Sequence, residues 1–229
     1  MSKERPRGRG AVGAQRTVVC VGAHPDDPES GCGGTLIRLK QAGFRLVVVY
    51  LFNGGIPGDR PGAYPIRRAE AERACRVMGA EPVILFREHE RTLVNDEWDA
   101  RVAEALRKED PVMVFGQWPL DAQSDHQLAA ILTLRAVQAL KPSPELYFYE
   151  VEYGAQTNAF SPSIYVDISA VQQLKLNAFT SHESQNPWRI YEQYHAEMES
   201  FRGRQAGVQA AEAFVPWKGG STLLTRSLA

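Results

Sequence analysis

Apolar residues fall into short unbroken runs that alternate with longer stretches where they recur every three or four positions. Val18, Val19, Cys20 and Val21 lie in the first run, and their continuity predicts a strand over Thr17 to Gly22 that is covered on both faces. A loop from His24 to Glu29 follows, then a helix from Ser30 to Ala42 that Gly43 closes at the position after its last turn. A second strand is predicted over Arg45 to Phe52, then a Gly/Pro-rich loop over Asn53 to Pro65 and a helix over Ile66 to Met78 closed by Gly79. Pro82 to Phe86 reads as a short strand, and Trp98, Val102, Ala105 and Leu106 mark the inner face of the next helix. Val112 to Phe115 is a further buried strand, and a polar loop leads from it to a helix over Asp125 to Leu140. Beyond that, Leu146 to Val151 and Ser163 to Ile168 read as strands, and Ala170 to Thr180 and Trp188 to Gln205 as helices.

Strand–helix alternation through the first 140 residues predicts an α/β fold, a Rossmann-like and mostly parallel sheet with helices on both faces. The less regular remainder is read as an elaborated C-terminal part. No linker long enough to define a second domain interrupts residues 17–229, so they are read as one domain behind a basic, Gly-rich tail over residues 1–16. That tail lacks the apolar core of a signal peptide. The composition, 44% hydrophobic and 23% charged, is that of an ordinary folded protein, and a formal net charge of −1 gives no reason to expect nucleic acid as a partner. No run approaches the roughly 18 apolar residues of a membrane span. Three cysteines without a CxxC pair (Cys20, Cys32 and Cys75) favour a reducing compartment, and the expected location is cytoplasmic.

In open parallel sheets, ligands bind beyond the carboxyl ends of the strands. Two loops there carry clustered ligand-type residues. The first, His24-Pro25-Asp26-Asp27-Pro28-Glu29, holds an imidazole and adjacent carboxylates that repel unless a cation or proton lies between them. Its two prolines stiffen it, so Asp26 and Asp27 point different ways: one can bind a metal while the other faces the metal's water. The alternative is a solvated turn with an aspartate capping the helix that begins near Ser30. The second loop runs from Trp118 to Gln127 and brings Asp121, Asp125 and His126 to the same sheet edge. Adding His126 to His24 and Asp27 makes the three-ligand set with an open position that is typical of catalytic zinc, although another divalent transition metal also suits it.

These motifs resemble the LmbE-like or PIG-L-type N-acetylglucosaminyl deacetylases. The likeness rests on His24-Pro25-Asp26-Asp27 with Glu29 and Gly31-Cys32-Gly33-Gly34-Thr35-Leu36, on Arg67-x-x-Glu70 leading to Met78-Gly79, on Ser181-His182-x-Ser184-Gln185, and on Gly203-Arg204-Gln205 with Ala211-Glu212-Ala213-Phe214. It covers nearly the whole chain after the tail. The resemblance implies zinc ligation at His24, Asp27 and His126, and removal of an acetyl group from the nitrogen of an amino sugar conjugate. It also implies a histidine in the second motif where this chain has Gln123. Gln123 can donate a hydrogen bond to a reacting carbonyl but cannot deliver a proton at neutral pH. Losing one such contact costs on the order of 10²–10³ in rate, so the chain is expected to work, with His182 or Asp26 handling the proton.

Asp26, beside the metal, is the expected general base. Arg67 is placed near the pocket as a substrate-binding residue, while its spacing alone also suits a surface arginine paired with Glu70. Asp125 is read with Arg67 as a substrate-binding residue that orients a pocket group, or else as a support behind the metal ligands; the alternative is that it caps the helix that His126 begins. His89 and His195 lie outside any motif and are read as surface or locally hydrogen-bonded residues. The loop Gly54 to Tyr64 and the segment Glu152 to Pro162 are expected to rim the pocket and select the sugar conjugate. Family members often self-associate, which leaves a homo-oligomer open.

Other function classes fit less well. Gly31-Cys32-Gly33-Gly34 fails the G-x-G-x-x-G pattern, because an acidic loop separates it from Gly22. No G-x-S-x-G elbow is present for serine chemistry. A metal-binding relative with reduced or lost hydrolase activity, serving in binding or interaction, stays open because of Gln123.

Overall fold

The computed structural model describes residues 15–54, 63–86, 94–151, 157–219 and 223–228. Most of the basic tail, His89, most of one proposed rim segment (55–62) and the first part of the other (152–156) lie outside the described residues. Five parallel strands form one half of the sheet: β1 (Thr17–Gly22), β2 (Arg45–Tyr50), β3 (Glu81–Ile84), β4 (Pro111–Gln117) and β5 (Glu145–Tyr149). Two more, β6 (Ile164–Asp167) and β7 (Ala211–Pro216), complete the order β3-β2-β1-β4-β5-β7-β6, with β7 antiparallel to both its neighbours. The expected mostly parallel sheet is therefore present, and the C-terminal elaboration adds an antiparallel edge.

Alternate strand residues build two cores. Val18, Cys20, Val48, Tyr50, Phe115 and Tyr147 pack beneath α1 (Asp27–Gln41) and α2 (Ala63–Met78). Val19, Val21, Val47, Val49 and Val114 pack beneath α3 (Asp96–Glu109) and α4 (Ser124–Ala139). Period-2 side chains that are apolar on both faces produce this two-sided burial. Asn95 caps α3 by accepting from the Trp98 N–H at 2.9 Å, and Gly43 (φ +92°) closes α1 as its sequence position suggests.

Strand ends and α5 fall within about two residues of expectation, and three helices depart further. α1 starts at Asp27 rather than Ser30, since Pro28 needs no N–H in a first turn and is tolerated there. α2 starts at Ala63 rather than Ile66. The helix read over Trp188 to Gln205 is three consecutive pieces: α6 (Pro187–Ile190), a turn of π-helix at Tyr191–His195, and α7 (Ala196–Ala206). The remaining described helices are α5 (Gln172–Phe179), expected from the sequence, and α8 (Leu223–Leu228), which was not.

β7 was not expected as a strand. Its Glu212 is fully buried, accepts from the Gly34 and Thr35 amides at 2.9 and 2.7 Å, and pairs with Lys175 Nζ at 2.9 Å. Lys175 also meets Glu199 at 3.0 Å, so one buried cation ties α5, α7, β7 and the α1 backbone together. The glycine run in α1 serves close packing: a Cβ on Gly31 would lie 2.2 Å from the Tyr149 ring. Among the described residues no helix is long and apolar enough to cross a membrane.

Candidate metal centre

β1 and β4 are sheet neighbours whose chains leave towards opposite faces, β1 into α1 and β4 into α4. A crevice opens where two such connections diverge. The buried Gln117 at the end of β4 joins the two loops there, its side-chain oxygen accepting from the Ala23 N–H at 2.7 Å.

His24, Asp27 and His126 converge in this crevice, each offering a ligand atom within 4.8 Å of the others. Asp27 Oδ1 lies 3.3 Å from His126 Nε2, and Asp27 Oδ2 lies 3.4 Å from His24 Nδ1. Two ligands about 2.05 Å from one zinc at a tetrahedral angle stand about 3.3 Å apart. Both nitrogens of the buried His126 ring lack an aligned hydrogen bond among the described residues, despite carboxylates this close. A buried imidazole aimed past its neighbouring carboxylates, at ligand-to-ligand spacing, fits a cation between them.

The two rings are held from behind. Asp121 Oδ2 stands 3.1 Å from His126 Nδ1, and Asp125 Oδ2 stands 3.0 Å from His24 Nε2. Carboxylate–histidine pairs of this kind fix ring orientation and raise ligand basicity. Asp121, itself buried, was not singled out from the sequence as a site residue; its sign there is an Asx turn, with its Oδ1 accepting from the Gln123 N–H at 2.8 Å. Gly54 at φ +71° brings the end of the β2 loop against His24, where a Cβ would sit 2.9 Å from the ring.

Electrostatics separate the adjacent carboxyls. Burial opposes charge on Asp27, yet His126 and His24 hold its carboxyl well below the usual range. Asp26 goes the other way: burial pushes it up, opposed by Arg67, with the Asp27 charge adding to the rise. Its backbone sits at φ 126°, ψ −32°, a conformation that costs a non-glycine residue on the order of 1–3 kcal/mol and that clusters at functional sites. Asp26 occupies the expected cap position but makes no capping hydrogen bond. In the metal-free site burial opposes charge on the imidazoles, but Asp125 and Asp27 raise His24 to about 9, and Asp27 and Asp121 raise His126 to about 10.

Arg67 is buried and braces the first loop. It donates to the carbonyls of Pro25 and Asn53 and contacts Asp26 Oδ2 at 3.2 Å. Its Nη1 lies 3.5 Å from Glu70 without an aligned hydrogen bond among the described residues. Glu70 in turn accepts from the Ser184 N–H and hydroxyl, both at 2.7 Å, so the Arg67 and Ser184 motifs interlock.

A cavity of about 420 Å³ opens over His24, Asp27 and His126, bordered also by Asp26, Ser30, Arg67, Gln123, Gln185 and His195. His182 does not border it: the ring is fully buried, with Nε2 3.5 Å from Glu29 Oε2. His195, read as peripheral from the sequence, is buried and lines the cavity.

Residues 19–137 match the family described as GlcNAc-PI de-N-acetylase, PIG-L. The diacetylchitobiose deacetylase of Thermococcus kodakarensis is 29% identical over 225 residues, 88% of this chain and 84% of that protein. The probable N-acetyl-alpha-D-glucosaminyl L-malate deacetylase 2 of Bacillus cereus is 25% identical over 200 residues, 81% of this chain and 90% of its own length. Among solved structures, the N,N′-diacetylchitobiose deacetylase of Pyrococcus horikoshii, complexed with its inhibitor MPG, aligns with a TM-score of 0.75 at 25% identity, over 88% of this chain and 83% of that one. With its family match spanning both loops of the crevice, this chain belongs to the PIG-L, or LmbE-like, family.

Proposed function

We propose that residues 17–229 form one LmbE-like domain that hydrolyses the acetamide of an N-acetylglucosamine-type sugar conjugate, with zinc as its resident metal. The observation that carries this reading is the convergence of His24, Asp27 and His126 beside a strained, raised-pKa Asp26 in one cavity. Membership of the family and the deacetylase relatives support the substrate class. A volume of about 420 Å³ lies within the roughly 300–1,000 Å³ of small-molecule sites. Three unpaired cysteines support a reducing, cytoplasmic setting.

When bound, zinc supplies a Lewis acid that polarises the amide carbonyl and lowers the pKa of a water towards about 7. Asp26 takes the proton of the attacking water; its raised pKa matches that task better than an ordinary carboxylate would. Arg67 keeps Asp26 oriented and, bordering the cavity, is the substrate-binding residue. Asp121 and Asp125 hold His126 and His24. Gln123, lining the cavity, donates a neutral hydrogen bond to the carbonyl oxygen.

The test is acetate and primary-amine release from a panel of N-acetylglucosamine conjugates by the zinc-loaded chain and by Asp26→Asn. Turnover that falls by 10²-fold or more in the variant, with zinc retained, is expected. Zinc binding without release from any conjugate would instead favour a binding or interaction role, the reading that Gln123 keeps open.

A further inference from the structure

The second imidazole-bearing wall of the cavity comes from a place no motif marks. His195 ends the π-helical turn Tyr191–His195, between α6 and α7. A π-turn takes one more residue per turn than an α-helix, so it re-aims the side chains that follow, and such turns recur at functional sites. His195 is buried, with Phe179 edge-on at a ring separation of 4.8 Å and Nδ1 3.4 Å from Ser30 Oγ. Ser30 itself borders the cavity, three residues beyond the ligand Asp27. These contacts fix the ring where it faces the space over the three ligands.

Six titratable side chains among the described residues border that space: His24, Asp26, Asp27, Arg67, His126 and His195. His24, Asp27 and His126 make the metal set, Asp26 is the base, and a guanidinium keeps its proton throughout. Gln123 carries no titratable proton. His195 is thus the imidazole that borders the cavity outside the metal set among the described residues, and from its placement we infer that it is a catalytic residue, the acid that protonates the departing sugar nitrogen in place of direct return by Asp26. The inference rests on the deacetylase reading above. In that reaction a bond forms between the water oxygen and the acyl carbon while one water proton passes to Asp26. The C–N bond breaks with its electron pair on nitrogen, which takes a proton from His195. His195 recovers one from Asp26, so both side chains end as they began, and N-acetyl amine plus water gives amine plus acetic acid.

The experiment compares zinc-loaded wild type, His195→Gln, Gln123→His and the double variant on N,N′-diacetylchitobiose. His195→Gln is expected to lower kcat by about 10²-fold or more with KM within about threefold, since general acids contribute on the order of 10²–10⁴. Gln123→His, supplying an imidazole from another wall of the cavity, is expected to restore the double variant to within about tenfold of wild type. A purely structural His195 gives a loss that a residue on a different loop does not repair. The inference is overturned if His195→Gln keeps kcat within threefold, or if the double variant stays as slow as the single one while both keep wild-type zinc content and melting temperature. If wild type releases no acetate from any conjugate, the deacetylase reading fails by itself. The His195 Cε1–H NMR resonance then decides separately: displacement on adding acetate to zinc-loaded protein supports the placement, and no displacement overturns it.

Discussion

Replacing Asp121 with asparagine probes how the metal site is held without touching a ligand. Asp121 Oδ2 lies 3.1 Å from His126 Nδ1, both residues are almost wholly buried, and asparagine keeps the shape while removing the charge. In the native site this carboxylate, as a buried charge beside Nδ1, favours the ring orientation in which Nε2 points towards Asp27 Oδ1, 3.3 Å away, and makes the imidazole a stronger donor. Loss of such a partner typically weakens metal binding 10–100-fold, which is about 1.4–2.8 kcal/mol at 25 °C. The Asx turn onto the Gln123 amide accepts through Oδ1 and survives in asparagine, so the loop itself is expected to stay folded. Competition against a chromophoric chelator measures the zinc Kd of both proteins. An affinity within twofold of wild type, with the melting temperature unchanged, would refute the argument that Asp121 orients His126.

Lys175→Met removes the cation shared by the buried Glu199 and Glu212. Stranding buried charge costs about 3–5 kcal/mol, so melting is expected on the order of 10 °C lower by calorimetry. Gly54→Ala adds a Cβ 2.9 Å from the His24 ring at a backbone φ of +71°, and zinc affinity measured by the same chelator competition is expected to fall at least tenfold. In the metal-free chain His24 and His126 are raised from 6.5 to about 9 and about 10. Their stabilising contribution is therefore full below pH 6.5 and lost as pH climbs through 9 to 10, whereas the zinc-loaded chain binds neutral imidazoles and is expected to lack that slope. Melting temperatures of both forms from pH 6 to 10 check the sign.

The parallel half of the fold was legible because buried strands such as Val18–Val21 and Leu46–Val49 are continuous apolar runs with no other stable use. β7 was not, because its pattern is broken by Glu212, whose burial depends on Lys175, a residue 37 positions earlier on another element. The trio of His24, Asp27 and His126 was legible because the first two fall in the turn between β1 and α1 and the third in the first turn of the helix that follows β4. Asp121 acts only through His126, so the sequence placed it among the ligand-type residues of the second loop without giving it a role. His195 was read as peripheral for a similar reason: its place on the cavity wall follows from a π-turn, and no periodicity in Tyr191–His195 distinguishes that from ordinary helix. Arg67 illustrates a third case. Its proximity to the pocket was expected, but its commitment to Pro25, Asn53 and Asp26 arises only where the fold brings the two loops against α2.

Anomalous diffraction at the zinc absorption edge, from crystals of the metal-loaded chain, addresses the cation site without relying on activity. A single strong peak is predicted in the crevice at the ends of β1 and β4, bonded to His24, Asp27 and His126 and leaving an open position towards Asp26. A metal-loaded crystal with no peak among those three side chains, or with zinc held only elsewhere on the surface, would contradict the account.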